Sequence, residues 1–140
     1  MGSRYEKLGM RATSNHELFF DDCRVPKDHL LGDIDKGFSH QLTSLQTGRI
    51  ALAAISTGLS RACLAEAVAL TKRRGKKGLS LFDSQTIPFI LADIAVGVEL
   101  SRIMYLKAAW LKDQGRNHTK EAGFAKLYAS ETATKTSTEV

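Results

Sequence analysis

The sequence predicts a mainly α-helical protein: a bundle of three long helices preceded by a short segment with strand character. Apolar residues recur at three- and four-residue spacing over most of the chain after Gly37, which is the period of an amphipathic helix. Glycine-containing stops at 75–78 and at 113–115 divide this part into three stretches. Before residue 35 the chain is instead aromatic, acidic and rich in turn residues. We therefore expect one unit over 1–34 and a helical unit over 35–140.

The first unit contains one candidate strand, residues 17–25, with the sequence ELFFDDCRV. In an extended conformation Leu18 and Phe20 point to one side and Phe19 to the other. Pro26 ends this run, because proline cannot donate to a strand ladder. The following residues, 27–37, are predicted to form a turn-rich connection.

The first predicted helix, residues 38–72, is apolar around an unusually wide arc. One stripe consists of Leu52, Ile55, Leu59 and Ala62. A neighbouring stripe consists of Ile50, Ala54, Thr57 and Leu64. A helix with so wide an apolar arc is buried on more than one side. Two partner helices cover only part of it, so a bundle of this kind normally has a fourth member. We expect the chain to represent three of four long helices.

The second and third predicted helices follow the two stops. The second is expected to start at a cap formed by Asp83 or Ser84, with Pro88 in its first turn. Its inward positions are predicted to be Leu91, Ile94, Val98, Ser101, Tyr105 and Ala108. The third starts after Thr119, carries Phe124, Leu127 and Tyr128, and is still in register at Val140.

The positive charge of the chain is concentrated in one short loop. The formal net charge is +5, and the loop contains five cations, Lys72, Arg73, Arg74, Lys76 and Lys77, so the remaining residues are balanced. A nucleic-acid-binding protein usually spreads basic residues over a whole face, so no nucleic-acid partner is expected. Lys and Arg beside the start of the next helix are typical of a phosphate site. The alternative is a loop whose charges are simply solvated.

Residue chemistry alone indicates no catalytic or metal centre. The sequence has no GxSxG, HExxH, P-loop or CxxC motif, and its four histidines lie apart in polar surroundings. The sequence has no continuous run of about 18 apolar residues, so no membrane span is predicted. The first residues, MGSRYEKLGMRA, lack the apolar core of a signal peptide.

Three stretches, taken in order, resemble the acyl-CoA dehydrogenase family. The stretch KLGMRATSNHELFFDDCRVPKDHLLG (7–32) is similar to the end of the family's central β domain. The stretch KGFSHQLTSLQTGRIALAA (36–54) resembles the first long helix of its C-terminal helical domain, and KEAGFAKLYASETAT (120–134) resembles a later helix. The resemblance covers nearly the whole chain and identifies residues 1–34 as a remnant of the β domain.

The resemblance implies an FAD-dependent enzyme that removes hydrogen from the α and β carbons of an acyl-CoA thioester, in the catabolism of fatty acids or branched-chain amino acids. The family is usually a homotetramer that passes electrons to an electron-transferring flavoprotein. Its members lie in the bacterial cytoplasm or the mitochondrial matrix. By the same resemblance, Arg74, Lys76, Ser84 and Gln85 contact the FAD of a neighbouring subunit, although Lys77 stands where the family's motif has Phe.

The resemblance also implies a substrate contact but no base within this chain. Arg49 matches an arginine that lines the CoA-binding groove, and Gln46 stands where many members have Asp. A minority of members carry the catalytic glutamate one residue before that arginine, where this chain has Gly48. Other members carry it beyond the third helix. We therefore expect the chain alone to be inactive, and the alternative function is a helical oligomerisation or interaction module without catalysis.

Overall fold

The computed structural model of the protein describes residues 2–73, 78 and 80–139, which form three long α-helices. These are α1 (Gly37–Thr71), α2 (Thr86–Asp113) and α3 (Thr119–Glu139), and two single 3-10 turns lie at Lys27–His29 and Leu81–Asp83. The chain divides into two compact units, Met1–Lys36 and Gly37–Val140. The prediction of a mainly α-helical bundle with three long helices is confirmed.

The first unit contains no strand among its described residues, so the strand predicted over 17–25 is wrong. Its backbone pairing is a single bridge between Arg4 and His16, flanked by the Gly2 N–H bonded to the Glu17 carbonyl at 2.9 Å. Asp22 has φ 46°, in the left-handed region, which interrupts an extended run. Phe19 and Phe20 are 72% and 79% exposed. Aromatic content suggested a strand, but within this unit the segment has no neighbouring strand to complete a ladder.

Where α1 packs on α3, the core of the helical unit is built from small residues. Ala53 of α1 and Ala125 and Ala129 of α3 are completely buried and form one cluster, against which Met104 and Tyr105 of α2 pack. Alanine side chains are short, so the α1 and α3 backbones can approach closely. The core between α1 and α3 is therefore thin and depends on close contact of the two helices.

The two predicted stripes of α1 have different environments. Thr57 is buried, and its hydroxyl donates to the Ala53 carbonyl at 2.8 Å, so no polar group is left unpaired there. Leu52, Ile55 and Leu59 on the other stripe are 48%, 65% and 53% exposed. The three helices thus cover one side of the wide apolar arc and leave the other side open.

Most of the inward positions predicted for α2 are confirmed. Leu91, Ile94, Val98, Ser101 and Ala108 are buried, and Tyr105 is half-buried.

The predicted cap of α2 is wrong. Asp83 instead accepts the Ser80 N–H at 2.8 Å and closes the preceding 3-10 turn. Gln85 occupies the N-cap position of α2 and makes no side-chain capping bond.

The predicted stop between α2 and α3 is confirmed and is a Schellman motif. Gly115 has φ 64°, a conformation that glycine adopts without a steric penalty. The Gly115 N–H bonds to the Lys112 carbonyl at 2.9 Å, and the Arg116 N–H bonds to the Leu111 carbonyl at 3.0 Å. The Asn117 side chain then accepts the Thr119 N–H at 3.0 Å and begins α3.

Helix α1 is long and apolar enough, by length and composition alone, to cross a membrane. It has 35 residues, and its most apolar 18-residue window has a mean hydropathy of 1.3, with 22% of that window buried. Polar and charged residues such as Thr57 and Arg61 interrupt every long apolar run, which is why the sequence did not predict a span. A core helix of a soluble protein meets the same test, so the absence of a span stays a prediction.

At Gly97 helix α2 packs tightly against Thr132 of α3, and we expect substitution there to destabilise the bundle relative to a matched glycine. A Cβ added at Gly97 would lie 3.1 Å from Thr132 Cγ2, whereas one at Gly58 of α1 would have nothing within 4 Å. Gly58→Ala should stabilise the fold by about 0.5–1 kcal/mol through helix propensity. In Gly97→Ala, the same gain in helix propensity should be offset by the steric contact between the new Cβ and Thr132. Urea denaturation followed by circular dichroism measures both, and an equal gain at both positions would contradict the close packing.

Candidate functional site

The predicted anion-binding residues lie between α1 and α2, and the structure describes only some of them. Arg74 and Lys76 lie outside the described residues. Lys72 and Arg73, which directly follow α1, are exposed. The described part of this region therefore presents two cations to solvent at the end of α1.

Ser84 and Gln85, for which the resemblance implies a cofactor contact, stand at the start of α2. Both are exposed. Ser84 has an extended backbone (φ −82°, ψ 131°), and its N–H bonds to the Leu81 carbonyl. The first turn of α2 has no acidic residue and no side-chain cap, so the Thr86 and Ile87 amides have no capping side chain, and Pro88 in the same turn has no N–H to donate.

These features fit a diphosphate such as that of FAD. An uncapped helix N-terminus carries partial positive charge and unpaired N–H groups, which bind phosphate oxygens. The nearest carboxylate along the chain, that of Asp83, already accepts the Ser80 N–H. The hydroxyl of Ser84 and the amide of Gln85 add neutral donors. The described residues thus offer donors without placing a carboxylate in the first turn of the helix.

The candidate substrate residues lie at the other end of the helical unit. Arg49 is exposed and Gln46 is half-buried, and their three-residue separation puts them on the same side of α1. From Arg49 to Thr71 the helix rises about 33 Å at 1.5 Å per residue. Among the described residues, the structure therefore does not bring Ser84 and Gln85 into one pocket with Arg49 and Gln46.

Two surface pockets of the helical unit contain none of the predicted site residues. The first, of about 380 Å³, lies between α2 and α3 and is lined by Asp93, Tyr128, Glu131 and Lys135. The second, of about 230 Å³, is apolar and is lined by Leu70 and Leu81, among others. Sequence periodicity did not indicate either pocket, because each is lined by residues from different elements of the fold.

No group of three or more His, Cys, Asp or Glu residues is placed to hold a metal ion within the described part of the chain. His118 is the one histidine that is not exposed. Its Nδ1 lies 3.0 Å from the Arg116 carbonyl and its Nε2 is buried without a hydrogen-bond partner. Neither observation indicates a catalytic group.

Comparison with known proteins identifies the family. The family described as "Acyl-CoA dehydrogenase, C-terminal domain" matches residues 35–140. A probable acyl-CoA dehydrogenase of Bacillus subtilis is 47% identical over 133 residues, which cover 95% of this chain and 35% of the relative. The mitochondrial short-chain specific acyl-CoA dehydrogenase of Mus musculus is 42% identical over 134 residues, 96% of this chain and 32% of the relative.

Solved structures show the same fold. Butyryl-CoA dehydrogenase from Megasphaera elsdenii superposes with a TM-score of 0.92 at 38% sequence identity, covering 99% of this chain and 36% of that protein. The chain thus spans about a third of the length of the relatives it matches. Its three helices match the C-terminal helical domain of these enzymes, and the chain belongs to the acyl-CoA dehydrogenase family.

Proposed function

We propose that this chain is part of an FAD-dependent acyl-CoA dehydrogenase, an oxidoreductase that introduces a double bond between the α and β carbons of an acyl-CoA thioester. The family match over residues 35–140 carries this proposal. The stretch KEAGFAKLYASETAT, on which the resemblance rests, supplies the buried face of α3 through Ala122, Ala125 and Ala129, each fully buried. The proposed metabolic role is the catabolism of fatty acids or branched-chain amino acids.

In this proposal the loop after α1 and the start of α2 bind the FAD of a neighbouring subunit. When bound, FAD supplies the acceptor for the substrate hydride. Arg74 and Lys76 provide positive charge for the diphosphate, while Ser84 and Gln85 provide hydrogen-bond donors at the uncapped start of α2. The role of these residues is to bind and orient the cofactor.

Arg49 and Gln46 are proposed to contact the CoA part of the substrate. A guanidinium is always charged and binds phosphate in a bidentate manner, which suits the phosphates of CoA. Short-chain acyl-CoA is the first substrate to test, since the mouse relative is named for short-chain specificity. We assign no catalytic base to this chain, because Gly48 has no side chain to remove a proton.

The proposed assembly is a homo-oligomer, a dimer or a tetramer, with an electron-transferring flavoprotein as the electron acceptor. Many large apolar residues of the helical unit are exposed, including Leu52, Ile55 and Leu59 of α1, and apolar surface of this kind favours association. Bacterial cytoplasm or mitochondrial matrix is the proposed location, and the two relatives described above come from Bacillus subtilis and from mitochondria.

A second candidate function, a helical oligomerisation module without catalysis, is favoured by one observation. The apolar side of α1 that contains Leu52, Ile55 and Leu59 is open in the described structure. Such a surface needs a protein partner whether or not a cofactor binds. The two functions differ in whether the loop after α1 binds FAD.

A domain exchange would distinguish between the two proposed functions. Residues 1–140 would replace the matching third of the Megasphaera elsdenii butyryl-CoA dehydrogenase, and turnover of butyryl-CoA would be measured with an electron-accepting dye. We expect the hybrid enzyme to turn over its substrate, and the 140-residue chain alone to show neither turnover nor stoichiometric flavin. A folded hybrid without activity would favour the oligomerisation module.

A further inference from the structure

The first unit contains a surface pocket in which cations outnumber acids. The pocket has a volume of about 320 Å³ and is lined by Arg4, Tyr5, Glu6, Lys7 and Arg11. Three of these side chains are cationic and one is a carboxylate, so the pocket has a formal excess of two positive charges. Small-molecule sites have volumes of about 300–1,000 Å³, so the pocket is large enough for a small ligand. None of the residues assigned above to FAD or CoA lines it.

A reversal of the chain brings two of the cations together. The Thr13 N–H bonds to the Met10 carbonyl at 3.1 Å, and Met10 has φ 49°, in the left-handed region, which turns the backbone. Nη2 of Arg4 then donates to the Arg11 carbonyl at 2.6 Å, across seven positions of sequence. A guanidinium has five N–H donors, so this bond leaves others for a ligand.

The third cation, Lys7, is half-buried and contacts neutral groups. Its Nζ donates to Thr13 Oγ1 at 2.7 Å and to Asn15 Oδ1 at 3.0 Å. An ammonium has three donors, so these two contacts leave one N–H for a further acceptor. The two neutral acceptors hold the ammonium in place without cancelling its charge.

No carboxylate neutralises these cations within the described part of the chain. The ion pairs found there involve none of Arg4, Lys7 and Arg11. Glu6 lines the same pocket and forms no ion pair among the described residues either. Like charges that share a pocket repel each other, and an anion bound between them replaces that repulsion with attraction.

We propose that Arg4, Lys7 and Arg11 form a binding site for a phosphate monoester group. Such a group carries about −1.5 to −2 charges at pH 7, which matches the excess of two positive charges, whereas a carboxylate carries only one. Guanidinium groups bind phosphate oxygens in a bidentate manner, and the lysine ammonium adds a point charge. Free phosphate and the phosphate of a nucleotide present the same chemistry to this site. The site lies in the first unit and does not depend on the proposed FAD contacts.

Titration of the 140-residue chain with sodium phosphate, at constant ionic strength, tests the site. The side-chain Nε–H resonances of Arg4 and Arg11 in ¹⁵N NMR would report contact with the ligand. We expect both resonances to shift together and to saturate with one dissociation constant, and sodium acetate at the same ionic strength to shift them less. Shifts that do not saturate and are equal for phosphate and acetate would show ionic screening alone and would overturn the site.

Three variants test the charges. Arg11→Gln removes one cation but keeps the backbone carbonyl that holds Arg4, and it should weaken phosphate binding about three- to fivefold. Glu6→Gln removes a carboxylate that repels the ligand and should strengthen binding by a similar factor. Arg24→Gln is the matched control, because it removes an exposed cation of the same unit outside the pocket, and it should leave binding unchanged. Equal weakening by Arg11→Gln and Arg24→Gln, or no effect of either Arg11→Gln or Glu6→Gln, would overturn the proposal.

Adenosine monophosphate and adenosine distinguish the two sources of phosphate. Tighter binding of adenosine monophosphate than of inorganic phosphate would assign the site to a nucleotide, and equal binding would assign it to free phosphate. Adenosine has no phosphate and should not compete with either. Competition by adenosine as strong as that by adenosine monophosphate would overturn a site for phosphate.

Discussion

Ala129→Leu is expected to destabilise the helical unit by about 3 kcal/mol or more. Ala129 is completely buried in the cluster with Ala53 and Ala125, where α3 packs on α1. Three extra carbon atoms have no space there, so the helices must separate or the side chain must leave its preferred rotamer. Overpacking of this kind typically costs about 1–3 kcal/mol, and a thin alanine core has little room to adjust. Since domains are stable by about 5–15 kcal/mol, much of the fold's stability would be lost.

Urea denaturation followed by circular dichroism at 222 nm measures this loss. Ala95→Leu on the exposed side of α2 is the matched control, because it adds the same atoms to the surface. We expect that control to change the free energy of unfolding by less than about 0.5 kcal/mol. Equal effects of the two substitutions would show that α1 and α3 do not approach as closely as the buried alanines indicate.

Arg74→Ala is expected to reduce FAD affinity about ten- to a hundredfold in the hybrid butyryl-CoA dehydrogenase. A charge-assisted hydrogen bond to a diphosphate contributes about 1.5–3 kcal/mol, and alanine removes both the charge and the donors. Flavin released during gel filtration, measured by absorbance, reports the change. Arg73→Ala is the control, because the resemblance assigns Arg73 no cofactor contact. Full flavin retention after Arg74→Ala would support the alternative of a solvated loop.

The helical part of the fold could be predicted because its signals are local. Gly115 ends α2 and Thr119 begins α3, and both depend on backbone conformations that neighbouring residues determine. The inward face of α2, from Leu91 to Ala108, follows from the 3.6-residue period alone. Periodicity also identified both apolar stripes of α1.

Features that depend on distant partners were not predictable in the same way. The aromatic residues Phe19 and Phe20 suggested a strand, but strands form only where another strand provides hydrogen bonds. An aspartate such as Asp83 can cap a helix, but its carboxylate accepts the Ser80 N–H. It therefore closes the preceding 3-10 turn and does not cap α2.

The candidate site was predicted only through the resemblance to a family. Charge alone indicated an anion at the loop after α1, without distinguishing a cofactor from solvent ions. The uncapped start of α2 at Gln85 adds a physical reason for a phosphate there. Arg49 has no comparable local signal, because one exposed arginine on a helix is ordinary.

The flavin content of the unmodified hybrid enzyme tests the account most directly. Residues 1–140, in place of the corresponding third of the Megasphaera elsdenii enzyme, would supply every cross-subunit contact to FAD assigned above. Flavin absorbance and protein concentration would be measured on the assembled oligomer after gel filtration. We expect about one FAD per chain, in a form that butyryl-CoA reduces. A correctly folded, assembled hybrid that contains no FAD would contradict it.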